Sequence, residues 1–297
     1  DAMAIFVALR SPEVEVIGPP LFMAMSTYFG HEDALHCFKM LLFKGVRTIR
    51  FMAGIESDYV VSLVYTHRTL SFLNLNFSFC RNGCGKPIDM SATHFLVEQA
   101  KLYPGKVTVV ALGPLTNIAL AIQQDPSFVK TLGKLFFLVV AFAVNGNVNP
   151  AAEANMLQIL CSQWSRCFGC RDKCTHQVIL TDSDRETLAS SKGKFAQYLL
   201  KILEVYFNYH HDAYSTKGVY LHDPTAMLAA INPSLITYVE GAVRVQTNGI
   251  TRGLTLLYNK QKRFAEITKW SDQPSVKVAV TVDAPAVLKL VLERLME

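Results

Sequence analysis

A chain of 297 residues has room for one large α/β domain or two small ones, and at 51% hydrophobic and 18% charged it can bury a sizeable core, which excludes intrinsic disorder. The formal net charge of +5 comes from scattered basic residues and makes no case for nucleic acid or a membrane surface as partner. No apolar run is long enough to span a bilayer, and no secretory signal opens the sequence. The seven cysteines, an odd number, argue against a disulfide framework and for a reducing compartment, the cytosol. Four of them, Cys161, Cys167, Cys170 and Cys174, lie close together; the Cys-x-x-Cys pair could be half of a zinc site, but the spacing suits no common zinc framework.

The first residue is Asp1, ahead of an apolar helical pattern that Ser11-Pro12 should end, because proline disfavours helix in the residue before it. VEVIG, residues 14–18, then reads as a strand. Helix and strand make half of a βαβ unit whose leading strand is expected to be missing, so the sequence reads as processed, trimmed or a fragment. Within residues 19–85 a helix from Ala34 and strands at VRTIRFM and YVVSLVY stand out, while SFLNLNFSFCRNGCG commits to nothing. From Gly85 the pattern is regular. MSATHFLVEQAKLYPG is a helix closed by Pro104-Gly105, VTVVAL a buried strand, GPLTNIALAIQQDP a tight turn into a helix with Pro114 at its first position, and KLFFLVVAFAV the next strand. Residues 156–174 are irregular. HQVIL is a short strand, Ser183 to Glu186 reads as a capping box, and an amphipathic helix covers 194–214. HDPTAMLAAINP enters a helix at Pro224; TYVEGAVRVQ, GLTLLYN and VKVAVTVD are late strands; DAPAVLKLVLERLME is a closing helix. Strands alternating with helices of this length predict an α/β fold with a mostly parallel central sheet and helices on both faces. No repeat, low-complexity tract or linker divides it, so residues 1–297 read as a single domain.

Three polar clusters fall at predicted strand ends. The run NGNVNPAAEAN, residues 145–155, follows an apolar strand and offers Asn147, Asn149, Glu153 and Asn155 at its carboxyl edge, where open α/β sheets bind ligands. An amide both donates and accepts and a carboxylate accepts, so such a set can hold the vicinal hydroxyls of a sugar; a turn-rich loop would show the same composition. His222-Asp223 offers an imidazole for proton transfer beside a carboxylate, although Asp-Pro is also a common helix start. With Asp1, the clusters supply carboxylates for a hard cation such as calcium, amides for a polyol and a histidine for a proton.

The motifs DAMAIFVALRSPEVEVIG, VTVVALGPLTNIALAI, AFAVNGNVNPAAEAN, GVYLHDPTAMLAA, GITRGLTL and VKVAVTVDAPAV together resemble the inosine-uridine preferring nucleoside hydrolases, the plant cytosolic branch above all. The resemblance implies a calcium-dependent ribonucleoside hydrolase, cleaving the N-glycosidic bond to ribose and free base by way of a calcium-bound water and an oxocarbenium-like transition state. Carried over by motif, it implies that Asp1, Asp223 and the carbonyl of Leu112 hold the metal, that Asp1 also serves catalysis, and that Asn147, Glu153 and Asn155 bind ribose. It implies that His222 protonates or positions the leaving base. Expected substrates are uridine, inosine, xanthosine and adenosine, and expected assemblies a homodimer or a heteromer with a paralogue.

The departures are specific. Of the family signature DxDxGxDDA only Asp1-Ala2 is present, so the upstream aspartate that acts as general base is missing. His31 stands where the family has a ribose-contacting asparagine, and Val139-Val140 where it has two glycines. Residues 19–85 and 156–174 match poorly, contain all seven cysteines, and read as shifted frames or misplaced exon borders. The alternative to an active hydrolase is therefore a catalytically impaired relative retained as a binding or scaffold protein.

Overall fold

The computed structural model describes residues 2–17, 52–53, 88–112, 115–139, 167–259 and 273–296. The chain opens with helix α1 (Ala2–Leu9). Its residues 3–8 are all buried, as befits a helix that is apolar on every side. VEVIG is not a strand over its described residues 14–17: after α1 the chain turns, with the Val14 amide donating to Ser11 O at 3.4 Å, and Glu13 is drawn 2.7 Å from Arg294. Of the elements expected between residues 19 and 85 only β1 (Met52–Ala53) is described, paired in parallel with β2 (Ile88–Ser91).

Helix α2 (Ala92–Leu102) starts where the Ser91 side chain accepts from His94 N, and ends before Gly105, whose φ of 73° is the left-handed turn that glycine permits. Strand β3 (Thr108–Ala111), helix α3 (Thr116–Gln124) and strand β4 (Lys134–Val139) follow, as the apolar periodicity predicts, with an additional single turn α4 (Phe128–Thr131) before β4. Pro114 lies outside the described residues.

The expectation that residues 156–174 are irregular fails at their end. Cys167–Arg171 forms β5, inserted between two parallel neighbours, with Leu135 opposite Cys167 and Lys277 opposite Phe168. CFGCR has no β-branched residue, so its neighbours make it a strand. Phe168 stacks on Phe136 with ring centroids 4.4 Å apart, and a side chain at Gly169 would press on the Phe137 ring at 3.3 Å. One helical turn, α5 (Asp172–Thr175), continues directly from it.

Strand β6 (Ile179–Thr181) leads into α6 (Asp182–Ser190). The capping box here is Thr181 with Asp184, two residues ahead of the expected Ser183 and Glu186, because the chain leaves extended geometry at Thr181. Helix α7 (Lys194–Tyr214) has the expected bounds. Strand β7 (Gly218–Tyr220) pairs antiparallel with β6, and α8 (His222–Ile231) begins two residues before Pro224. Strands β8 (Ile236–Val245), β9 (Thr255–Tyr258) and β10 (Ser275–Val282) and helix α9 (Ala284–Met296) complete the order.

The main sheet runs β3-β4-β5-β10-β8-β9, parallel from β3 through β10 and antiparallel across β8 and β9. Both faces are covered. Phe136, Val110 and Ala279 point into a core shared with α1, α7, α8 and α9; Leu135, Phe137, Val109 and Val278 point into another shared with α2 and α3. That alternation is the period-two signature of a strand buried on both sides. The carboxyl ends of β3, β4 and β5 therefore open on one edge.

Candidate active site

Leu112 follows β3 at that edge, one residue past the last ladder pair, Ala111 with Phe137. Its side chain is buried in the same core as Leu221, which immediately precedes His222. Helix α8 packs on α1, β3, β4 and α5. His222 and Asp223 lie in the first turn of α8. Asp223 is half-buried, and the helix N-terminus favours its negative charge. Asp1, Asn147, Glu153 and Asn155, like Asn149 and His31, lie outside the described residues. Val139 is the last residue of β4, opposite Arg171.

His222 is the best-defined member of the site. Its Nδ1 lies 2.7 Å from Thr175 Oγ1. Its ring lies 5.0 Å from that of His176 and 5.8 Å from that of Tyr220, centroid to centroid. His176 packs on Tyr220 at 4.3 Å, and His210 reaches the other side of Tyr220 at 5.7 Å. Burial pushes the His222 imidazole down to about 4, helped by His176 and opposed by the Asp223 carboxylate. Burial lowers His210 in the same direction.

Each position has a local cause. Buried positions 196, 199, 203 and 207 of α7 recur at helical spacing, and His210 is the next position on that stripe. Tyr220 and His222 flank the buried Leu221, as alternate residues of an extended segment do. Three of the chain's eight histidines thus meet around Tyr220, although they are spread over 47 residues. Sequence reasoning found His222 and missed Thr175, His176, His210 and Tyr220. The available signal was a histidine where the α7 stripe calls for an apolar residue.

Cys170 and Cys174 are free thiols buried beside each other in the core. Burial, reinforced by Cys174, raises the Cys170 thiol to about 12. Cys161 lies outside the described residues, and no cluster of three or more metal-ligating side chains occurs among those described. No described helix is long and apolar enough to cross a membrane.

A mostly parallel sheet packed by a helix whose first turn carries a half-buried imidazole and a carboxylate is an α/β arrangement suited to a small-molecule site. The comparisons make this specific. The family profile described as "Inosine-uridine preferring nucleoside hydrolase" matches residues 1–289. The chain is 53% identical to the "Probable uridine nucleosidase 2" of Arabidopsis thaliana over 100% of its own length and 94% of that relative. It is 35% identical to the "Uridine nucleosidase 1" of Arabidopsis thaliana, over 100% of this chain and 90% of that one. Among solved structures it is similar to "Plant nucleoside hydrolase - PpNRh1 enzyme", with a TM-score of 0.82, 39% identity, and 100% and 95% of the two chains covered. A purine-preferring ribonucleoside hydrolase from Gardnerella vaginalis shares the fold, with a TM-score of 0.77 at 24% identity over 100% and 94% of the two chains. The chain belongs to the inosine-uridine preferring nucleoside hydrolases, enzymes that cleave nucleosides.

Proposed function

We propose that the chain hydrolyses the N-glycosidic bond of uridine and, with it, of inosine, xanthosine and adenosine, releasing ribose. The observation that carries this reading is the His222-Asp223 pair in the first turn of α8, a helix packed on β3 and β4. The names of its plant relatives support uridine as the first substrate.

The candidate metal ligands are Asp1, Asp223 and the Leu112 carbonyl, an oxygen-only set that suits a hard cation. Calcium held there would supply Lewis acidity, acidifying a water and gripping the ribose hydroxyls. With the upstream aspartate missing, Asp1 is the carboxylate left to take that water's proton. Asn147, Glu153 and Asn155 orient the ribose through its hydroxyls. His222, neutral at ordinary pH because its pKa is about 4, presents an N–H to the base as negative charge develops on it. The apolar core beneath α8 excludes water from that side of the ring.

The test is ribose release from the four nucleosides, with calcium and again with chelator. Chelator-sensitive release supports the reading. No release from any nucleoside under either condition sinks it in favour of a binding role. The buried thiols Cys170 and Cys174 are consistent with the proposed cytosolic location.

A further inference from the structure

Two other buried hydroxyls are used locally. Ser11 donates to Val7 O at 2.7 Å, and Thr225 donates to Leu221 O at 2.5 Å. Thr175 is as deeply buried, yet its hydroxyl meets a side chain 47 residues further on, the Nδ1 of His222 at 2.7 Å.

Both partners are fixed by separate backbone anchors. Thr175 ends α5, the direct continuation of β5, which is clamped between β4 and β10. The following turn closes through Gln177 N to Cys174 O at 3.2 Å and Val178 N to Thr175 O at 3.1 Å. The Gln177 side chain then bridges to β10, donating to Val280 O at 3.4 Å and accepting from Val282 N at 3.3 Å. On the other side Leu221 N donates to Val178 O at 3.0 Å, which ties the start of α8 to β6. The contact joins two segments that are already positioned.

In a neutral imidazole one nitrogen carries the proton and the other accepts. A group bonded to Nδ1 therefore decides whether Nε2 can donate. We propose that Thr175 is a positioning residue: its hydroxyl donates to Nδ1 of His222 and so holds the ring, in orientation and in the Nε2–H tautomer, with that N–H turned to the departing base. This rests on the reading of His222 given above; the Thr175 contact itself does not.

Two variants separate the roles. Thr175→Val keeps the shape and removes the hydroxyl; Thr175→Ser keeps the hydroxyl. Nitrogen-15 spectra of the histidine-labelled full chain, with His222 assigned from the His222→Gln spectrum, read the tautomer directly. Wild type and Thr175→Ser should hold the proton on Nε2, and Thr175→Val should show both tautomers. With inosine, Thr175→Val should lose about ten- to a hundredfold in kcat at similar KM, and Thr175→Ser should recover most of it. With p-nitrophenyl riboside, whose leaving group needs no proton, Thr175→Val should stay near wild type. A proton on Nδ1 in wild type, an unchanged tautomer in Thr175→Val, or an equal loss on both substrates overturns the proposal. A wild-type chain that releases no ribose from any nucleoside overturns the hydrolase reading instead, and the spectra still decide the role of Thr175.

Discussion

His222 carries the proposed proton chemistry at the leaving base. Its replacement by glutamine should lower kcat/KM for inosine by roughly 10²–10⁴-fold with the circular dichroism spectrum unchanged. Retained turnover would remove His222 from the mechanism. The ring also links stability to pH. Burial holds His222 near 4 and lowers His210, while the unfolded chain binds protons near the ordinary 6.5. Between those values the unfolded state carries more protons, so stability is fully present above about pH 6.5 and drops as pH falls toward 4. Denaturant midpoints measured in chelator across that window should fall with pH, most of all for wild type and less for His222→Gln. A midpoint that stays level or rises on acidification contradicts the assignment. At this scale the sequence was legible only where a motif names the residue. His222 and Asp223 stand in a short contiguous signature. Thr175, His176, His210 and Tyr220 come from three other segments, and only the packing of α5, β7 and α7 puts them together.

Elements whose own composition sets their structure were readable, and those set by neighbours were not. Helix α7 has its expected bounds because its apolar stripe holds register for its whole length. Strand β5 was read as irregular because Cys-Phe-Gly-Cys-Arg has little intrinsic strand preference and is extended by β4 and β10. Residues 14–17 have the β-branched pattern of a strand without a partner, and the turn at Ser11 takes them elsewhere. The displaced capping box teaches the same lesson, since two Ser/Thr-x-x-Asp/Glu runs overlap and geometry at the end of β6 selects one. Thr181 N and its hydroxyl donate to Asp184 at 2.8 and 2.6 Å. Thr181→Ala should therefore destabilise the chain by about 1 kcal/mol, whereas Ser183→Ala should be near neutral. Equal costs in chemical denaturation would place the cap wrongly.

For the whole molecule, the proposed calcium is the largest testable link between site and fold. The oxygen donors at Leu112 and Asp223 belong to different elements, so an ion binding both would favour the folded state by mass action. Free calcium at a hundred times its Kd should add about 2.7 kcal/mol, a rise in Tm of roughly 5 °C for a chain of this size. Asp223→Asn should lose most of that rise. Calcium that leaves Tm unchanged in wild type, or raises it equally in the variant, would remove Asp223 from the metal site. The central sheet, β5 apart, was legible because its other strands are apolar or alternating runs. Of the site, the expected residues in 145–155 lie outside the described residues.

Strand β10 has a consequence for how the protein is made. It is the last strand in the chain, yet it lies inside the sheet, parallel to β5 on one side and antiparallel to β8 on the other. A ribosome delivers residues in order, so β5 and β8 must wait, as open edges, until residues 275–282 emerge. Residues 1–274 are therefore synthesised before the sheet can close, and a message cut short ahead of Ser275 leaves β5 and β8 unpaired on that side. Such products should be chaperone clients and aggregate when chaperones are limiting, while chains that include β10 escape both fates.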